Sequence, residues 1–217
     1  LRGIVDLSGI VVQGGSVSIG ATTTHAQVAN SAELKNALPA LCALADGIGD
    51  PQVRHMGTIG GSVANNDPAA DYPAAMLGLG ATIKTNKREI AADDFFQGLF
   101  TTALDAGEII TSIAITVPKR AAYAKFEQRA SRYALVGVFV SETDGGVRVA
   151  VTGAGNDGVF RVTAIEQALA GSLSGDAARG VSISPDDMLS DIHAGGDYRA
   201  ALVSEMAAQA VEKMLSA

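Results

Sequence analysis

The chain reads as an α+β protein in two parts divided after Pro118, and three observations carry that reading. Short segments such as SVSIGA (16–21), ATIKTN (81–86) and EIITSIAITVP (108–118) alternate apolar and polar residues, as half-buried strands do. Beyond Pro118, YAKFEQRAS, ALVGVFVSE and VRVAVTGAG form three consecutive strand-like runs, the last two joined by TDGG, a sequence suited to a hairpin turn. Helical segments with recognisable caps accompany both sets.

Taken in order, SVSIGA is a strand and THAQVANSAELKNAL (24–38) is helical, with Ser31 as a candidate cap. Pro39 suits the first turn of a second helix, PALCALADG, which Gly47 stops. AADYPAAMLGLG (69–80) is expected to be helical after Pro73. ATIKTN and REIAADDF read as strand, turn and strand, with Asp93 or Asp94 capping a short helix FFQGLF. In EIITSIAITVP, Ile109, Thr111, Ile113 and Ile115 share one face and Pro118 ends the strand. KRAA (119–122) is polar and marks the boundary between domains 1–118 and 119–217.

The second domain is expected to be a three-stranded antiparallel sheet with helices. TAIEQALAG ends at Gly171, and SLSGDAARGVSIS (172–184) is the most loop-like segment. DYRAALVSEMAAQAVEKML (197–215) places Tyr198, Leu202, Met206, Ala210 and Met214 on one stripe. There is no repeat and no low-complexity tract.

Composition narrows the function. A chain of 217 residues, 47% hydrophobic and 18% charged, can bury a sizeable core. Its net charge of −7 argues against a nucleic-acid partner, which calls for a basic patch. The longest apolar runs, such as ALVGVFV (134–140), are too short to span a bilayer, so no integral membrane segment is expected. No secretory signal is evident, and a cytoplasmic location is the default. Cys42, the only cysteine, lies in an apolar helical pattern and reads as a buried, inert thiol. His25, His55 and His193 are scattered without metal-ligand spacing. His193, in SDIHAGGDYR, invites comparison with an Asp–His pair, but a surface or capping role suits it better.

The most informative stretch is RHMGTIGGSVANNDPAADYP (54–73). Gly57, Gly60 and Gly61 surround Thr58, and Asp71 follows thirteen positions later. Glycine lets main-chain N–H groups approach a ligand closely, and successive N–H groups can form an anion-binding hollow. A nearby carboxylate accepts from ribose or ring N–H groups. The loop is neither a GxxxxGKS/T nor a GxGxxG motif. On chemistry alone it serves a nucleotide phosphate or plain chain reversal.

VRHMGTIGGSVANNDPAADYPAAMLGLGAT (53–82) resembles the signature of the FAD-binding, or medium, subunit of molybdenum hydroxylases. That family includes the aerobic carbon monoxide dehydrogenase medium subunit and the flavin domain of xanthine dehydrogenase. SIGATTTHAQVANS (18–31), GIGDPQVR (47–54), DDFFQGLFTTALDAGEIITSI (93–113), YAKFEQRASRYALVGVFV (123–140) and SDIHAGGDYRAAL (190–202) extend the resemblance in order along nearly the whole chain. It implies the second lobe of a PCMH-type FAD-binding domain, then a small C-terminal domain like that of the CO dehydrogenase flavoprotein. The family's N-terminal lobe, with its own Gly-rich loop on the pyrophosphate, would precede LRGIVDLSGI; these 217 residues alone are therefore expected to hold FAD weakly.

By the same resemblance, Thr58, Ile59, Gly60 and Gly61 would hold the FAD phosphates and ribityl chain through backbone N–H groups and the Thr hydroxyl. Ser62 stands where the family usually has Asn, and His55 where Asn is common. Asp71 matches the flavin-contacting Asp, its plainer reading being a helix N-cap. Ile48 and Gly49 match positions packed near the cofactor, and Ile110 an apolar residue against the isoalloxazine, though by pattern alone it is core. Lys125 matches a Lys near the flavin pyrimidine ring, with Gln128 as competitor.

No catalytic acid or base is assigned, and no metal ligand. The resemblance implies an electron-transfer module. Substrate is hydroxylated at a molybdopterin cofactor on a large partner subunit, and electrons pass through 2Fe–2S centres on a small partner subunit to FAD and on to an external acceptor. Two alternatives remain open: a stand-alone flavin oxidoreductase of the vanillyl-alcohol oxidase type, and a scaffold that binds no FAD.

Overall fold

The computed structural model describes every residue except Arg2 and Ala217. The chain first lays down a tight hairpin, β1 (Ile10–Gln13) and β2 (Ser16–Gly20). Gly14 and Gly15 between them both take positive φ, as the turn demands. β2 alternates outward and inward, sending Val17 and Ile19 into the core. Six helices follow, and short polar side chains start most of them. Thr24 and Gln27 form a reciprocal capping box on α1 (His25–Asn30), and Ser31 caps α2 (Ala32–Ala37). Pro39 opens α3 (Pro39–Asp46), Asp50 caps α4 (Pro51–Met56), and Thr58 caps α5 (Ile59–Asn65). α6 (Asp71–Leu79) is buried on every side, as an apolar helix with no polar face must be.

The chain then returns through β3 (Thr82–Thr85), β4 (Glu89–Ala91), α7 (Ala92–Phe95), the small pair β5 (Phe96–Gly98) and β6 (Thr101–Thr102), and β7 (Ile110–Thr116). A five-stranded antiparallel sheet results, in the order β1-β2-β7-β3-β4. Beyond it, β8 (Arg120–Glu127), β9 (Ala134–Thr143), β10 (Gly146–Gly155) and β11 (Gly158–Arg161) form a second antiparallel sheet, ordered β11-β10-β9-β8. α8 (Thr163–Gly171), α9 (Gly175–Arg179) and the long α10 (Gly196–Ser216) cover it.

Two hydrophobic clusters fill the molecule. One gathers the first sheet with α1 to α3, α5 and α6; the other gathers the second sheet and α8 to α10. Tyr123, Phe139 and Ala150 of the second sheet belong to the first cluster, because α6 packs onto β9 and β10. There Gly78 leaves room for Phe139, and the Ser141 hydroxyl donates to the Gly78 carbonyl at 2.6 Å.

Several elements differ from the sequence reading. The second sheet has four strands, because Gly158–Arg161 turns back on β10; that run is too short to announce itself. The helix after the Asp71 loop starts at Asp71, so Pro73 sits inside its first turn, where no helical N–H is needed. The short helix near Phe95 ends before Phe96, and Asp93 and Asp94 lie within it instead of capping it. Residues 172–184 contain α9, capped by Ser174. Tyr198 is half exposed and packs edge-on against Phe126, while the rest of its stripe is buried. In β7 the expected face is broken: the register with β3 shifts between Lys84 and Thr85, so Ile110 turns inward with Ile113 and Ile115, and Ile109 does not.

Candidate functional site

Two clefts flank the turn that leads into α5. The first, about 480 Å³, is lined by Ile48, Gly49, Thr58, Gly61, Ser62 and Asp71, with His25, Asn65, Asp67, Arg132 and Tyr133 among the others. The second, about 370 Å³ and mostly apolar, is lined by Ala21, Gly60, Ala64, Leu104, Ile109 and Ile110. Both share Met56, Thr58 and Gly61, so the Thr58–Gly61 turn forms the ridge between them. The β7 register shift is what delivers Ile110 to the second cleft.

That turn is held mainly by the chain itself. The Ile59 N–H donates to the Thr23 carbonyl at 3.0 Å, and the Gly60 N–H to the Ala21 carbonyl at 2.9 Å. The Gly61 N–H donates to Thr58 Oγ1 at 3.2 Å. Ile59 is wholly buried. The expected cradle of free N–H groups is therefore revised: three of its donors are spent on the β2–α1 turn and on the helix cap. Gly60 is glycine because of Ala21, whose atoms a Cβ would meet at 2.5–2.8 Å. Gly61 is the glycine that opens on both clefts; a Cβ there would meet only Thr58 Oγ1.

Ile48 and Gly49 form the opposite wall. Gly49 has positive φ, and its carbonyl accepts from Arg54 at 2.9 Å and from Arg132 at 3.2 Å, while the Ile48 carbonyl accepts from Arg54 at 3.0 Å. His55 lies outside the clefts, its Nδ1 against the Pro51 carbonyl at 2.7 Å.

Asp71 closes the first cleft at its buried end. It is the first residue of α6, Ala70 holds the N-cap position, and the carboxylate does not cap. Instead Oδ1 accepts from the Tyr123 hydroxyl at 2.6 Å and pairs with Lys125 Nζ at 3.0 Å. Burial pushes the Asp71 carboxyl pKa upward; Lys125, then the Tyr123 hydroxyl, oppose that shift. Lys125 also donates to the carbonyls of Gly47 and Arg132, each at 2.9 Å, so all three of its donors are used. Gln128 lines a separate neighbouring cleft.

Two cleft residues escaped the sequence reading. His25 follows the N-cap of α1, and burial, then Arg54, lowers its pKa to about 4, so it is neutral at pH 7. Its Nδ1 is buried without a partner, beside the Tyr72 ring at 5.3 Å. Tyr133 is half exposed on the rim, a flat ring able to stack on a planar ligand. Neither carries a local sequence signal, because each reaches the cleft only through the packing of distant elements. His193 is exposed; the oxygens of Asp191 are taken by the N–H groups of His193 and Ala194 and by Arg199, so no Asp–His pair forms.

Residues 1–119 match the family model described as the FAD binding domain in molybdopterin dehydrogenase. The nicotine 6-hydroxylase medium subunit of Paenarthrobacter nicotinovorans is 37% identical over 89% of this chain and 73% of its own. The carbon monoxide dehydrogenase medium chain of Afipia carboxidovorans is 41% identical over 67% of this chain and 53% of its own. Among solved structures, a chain of the reconstituted CO dehydrogenase from Oligotropha carboxidovorans superposes with a TM-score of 0.90 at 33% identity, covering all of this chain and 81% of that one.

Proposed function

The chain belongs to the family of FAD-binding domains of molybdopterin dehydrogenases, and from that premise we propose that it is the flavin-bearing electron-transfer subunit of a molybdenum hydroxylase. The observation that carries this reading is the buried Asp71 at the end of a cleft of mixed character that meets a more apolar one over Gly61.

The residues present suit FAD, a long ligand that is polar along its chain and flat and apolar at its ends. When bound, FAD supplies storage for two electrons that can be filled and emptied one at a time. Asp71 accepts from a ring N–H or a ribityl hydroxyl. Thr58, Ser62 and Arg132 offer polar groups to the phosphates, replacing the N–H groups that the turn consumes. Ile110 lines the more apolar cleft, Ile48 and Gly49 wall the mixed one, and Tyr133 can lie against a ring from the rim. Lys125 acts through Asp71, since its own donors are spent. With His25 neutral and Asp71 ion-paired, these residues are suited to holding a cofactor, and substrate chemistry falls to a partner.

The partners in this reading are a large molybdopterin-binding subunit and a small 2Fe–2S subunit, in a cytoplasmic complex from which electrons leave to an external acceptor. Among the described residues, no helix is long and apolar enough to cross a membrane. We divide the chain at 1–118 and 119–217, between β7 and β8, where Pro118 interrupts the strands.

The test is titration of the full chain with FAD by calorimetry and flavin fluorescence. Saturable one-to-one binding is expected, weakened about tenfold by Asp71→Asn, as for loss of one hydrogen bond to a charged group. No saturable binding even at millimolar FAD, or equal affinity in the variant, overturns the assignment.

A further inference from the structure

We infer that Tyr123, with Lys125 beside it, is a positioning residue through which the C-terminal sheet sets the cofactor cleft, by holding Oδ1 of Asp71 so that Oδ2 meets a hydrogen-bond donor of the bound flavin nucleotide. The inference rests on the cleft being the FAD site.

Tyr123 and Lys125 are two residues apart on β8 and therefore point to the same face, toward the start of α6. Both reach the same oxygen, at 2.6 and 3.0 Å. The Tyr123 bond is short, as expected for a hydroxyl donating to a carboxylate. Asp71, Tyr123 and the Lys125 side chain are all less than a tenth exposed, so the cluster works away from bulk water and is little screened. Among the described residues no side chain is seen bonded to Oδ2, and Asp71 lines the cleft.

The neighbouring strands are shaped around this contact. Gly137 sits opposite Lys125 in β9, within the otherwise apolar run ALVGVFV. Glycine weakens a strand, and inside one it commonly marks a close approach. Here the cause is visible: a Cβ on residue 137 would collide with the Tyr123 hydroxyl. β10 fixes the backbone leading into α6 separately. The Thr152 hydroxyl lies 2.9 Å from the Pro68 carbonyl and 2.7 Å from that of Ala70. The Gly153 N–H donates to Pro68 at 2.8 Å. Because the backbone of Asp71 is anchored by β10, removing the Tyr123 hydroxyl alters the carboxylate and leaves the helix in place.

Lys125 adds a second link. Its ammonium joins the carboxylate of Asp71 and the loop carbonyl of Arg132, both on the cleft, to the end of α3 at Gly47, just before the cleft wall at Ile48. With no donor left for a ligand, it makes no hydrogen bond of its own to the flavin, and its structural link to the ring runs through Asp71. A carboxylate near the ring disfavours added electrons, so weakening its ionised form raises the reduction potential of the bound flavin.

The test compares the full chain with Tyr123→Phe, Lys125→Gln, Asp71→Asn and the double variants, at saturating FAD. Affinity is read by calorimetry, and flavin potential by spectroelectrochemistry. Tyr123→Phe is expected to weaken FAD about tenfold and to raise the potential in the same direction as Asp71→Asn. In the Asp71→Asn background, Tyr123→Phe should add little further change in affinity or potential, as expected for coupled neighbours. Unchanged affinity and potential in Tyr123→Phe overturn the inference, and so do fully additive losses in the doubles. Should Tyr123→Phe fail to fold, Lys125→Gln decides by affinity: weaker FAD binding that is lost as a further effect in the Asp71→Asn background supports the inference, and unchanged affinity overturns it. Failure of the unaltered chain to bind FAD refutes the assigned function instead.

Discussion

Gly60 and Gly61 stand side by side in one motif, and the structure gives them opposite tasks. In Gly60→Ala the new Cβ falls 2.5 Å from Ala21 Cβ and 2.7 Å from its carbonyl oxygen. Ordinary contact begins near 3.4 Å, so the β2–α1 turn must retreat by about 0.9 Å. Such a retreat stretches the 2.9 Å bond from Gly60 N–H to Ala21 beyond useful length. Overpacking costs about 1–3 kcal/mol and the strained buried bond about 1 kcal/mol more, while alanine's helix propensity returns up to about 1 kcal/mol. The net loss is about 1–4 kcal/mol, or roughly 2–16 °C in a chain of this size. Gly61→Ala meets only the hydroxyl of its own cap, so its stability should stay within about 1 kcal/mol of the original. Its methyl group, however, stands on the ridge between the clefts, and FAD affinity should fall. Urea and thermal unfolding of the two variants, with FAD titration of each, make the comparison. A Gly60→Ala chain as stable as the original, or a Gly61→Ala chain with undiminished FAD affinity, refutes this division of labour.

Acid should weaken the fold through His25. Its pKa is near 4 when folded and 6.5 when unfolded, so the unfolded chain takes up the proton first. Stability is thus complete above pH 6.5 and falls toward pH 4, by about 2 kcal/mol between pH 7 and 5. Urea midpoints across that range should fall less steeply in His25→Gln, and an equal slope contradicts the buried neutral ring. Cys42 is 3% exposed and burial pushes its thiol pKa up to about 11. A thiol reagent should label it only on unfolding, and prompt labelling of the native chain would place it elsewhere. Arg199, buried, donates to the carbonyls of Leu135 and Gly153 and pairs with Asp191. Arg199→Met should cost about 3–5 kcal/mol in urea unfolding by stranding those acceptors, and a loss below about 1 kcal/mol would show the network is dispensable.

Much of the molecule follows from local rules acting on neighbouring residues. Ser31, Pro39 and Gly47 delimit helices, TDGG turns a hairpin, and Pro118 separates strands, because caps, fixed φ and missing N–H groups act within a turn of the chain. The motif around Thr58 and Asp71 marked where the clefts lie for the same reason: its glycines and its acid sit within twenty residues. Tertiary structure decided what those residues do. Ile59 and Gly60 point their N–H groups at Thr23 and Ala21, partners some forty residues away. Asp71 meets Tyr123 and Lys125 across fifty residues, through a notch that Gly137 leaves in the neighbouring strand β9. His25 and Tyr133 join the same cleft from more than a hundred residues apart. Hydrogen bonds and burial depend on distance in space, and a linear pattern records only distance along the chain.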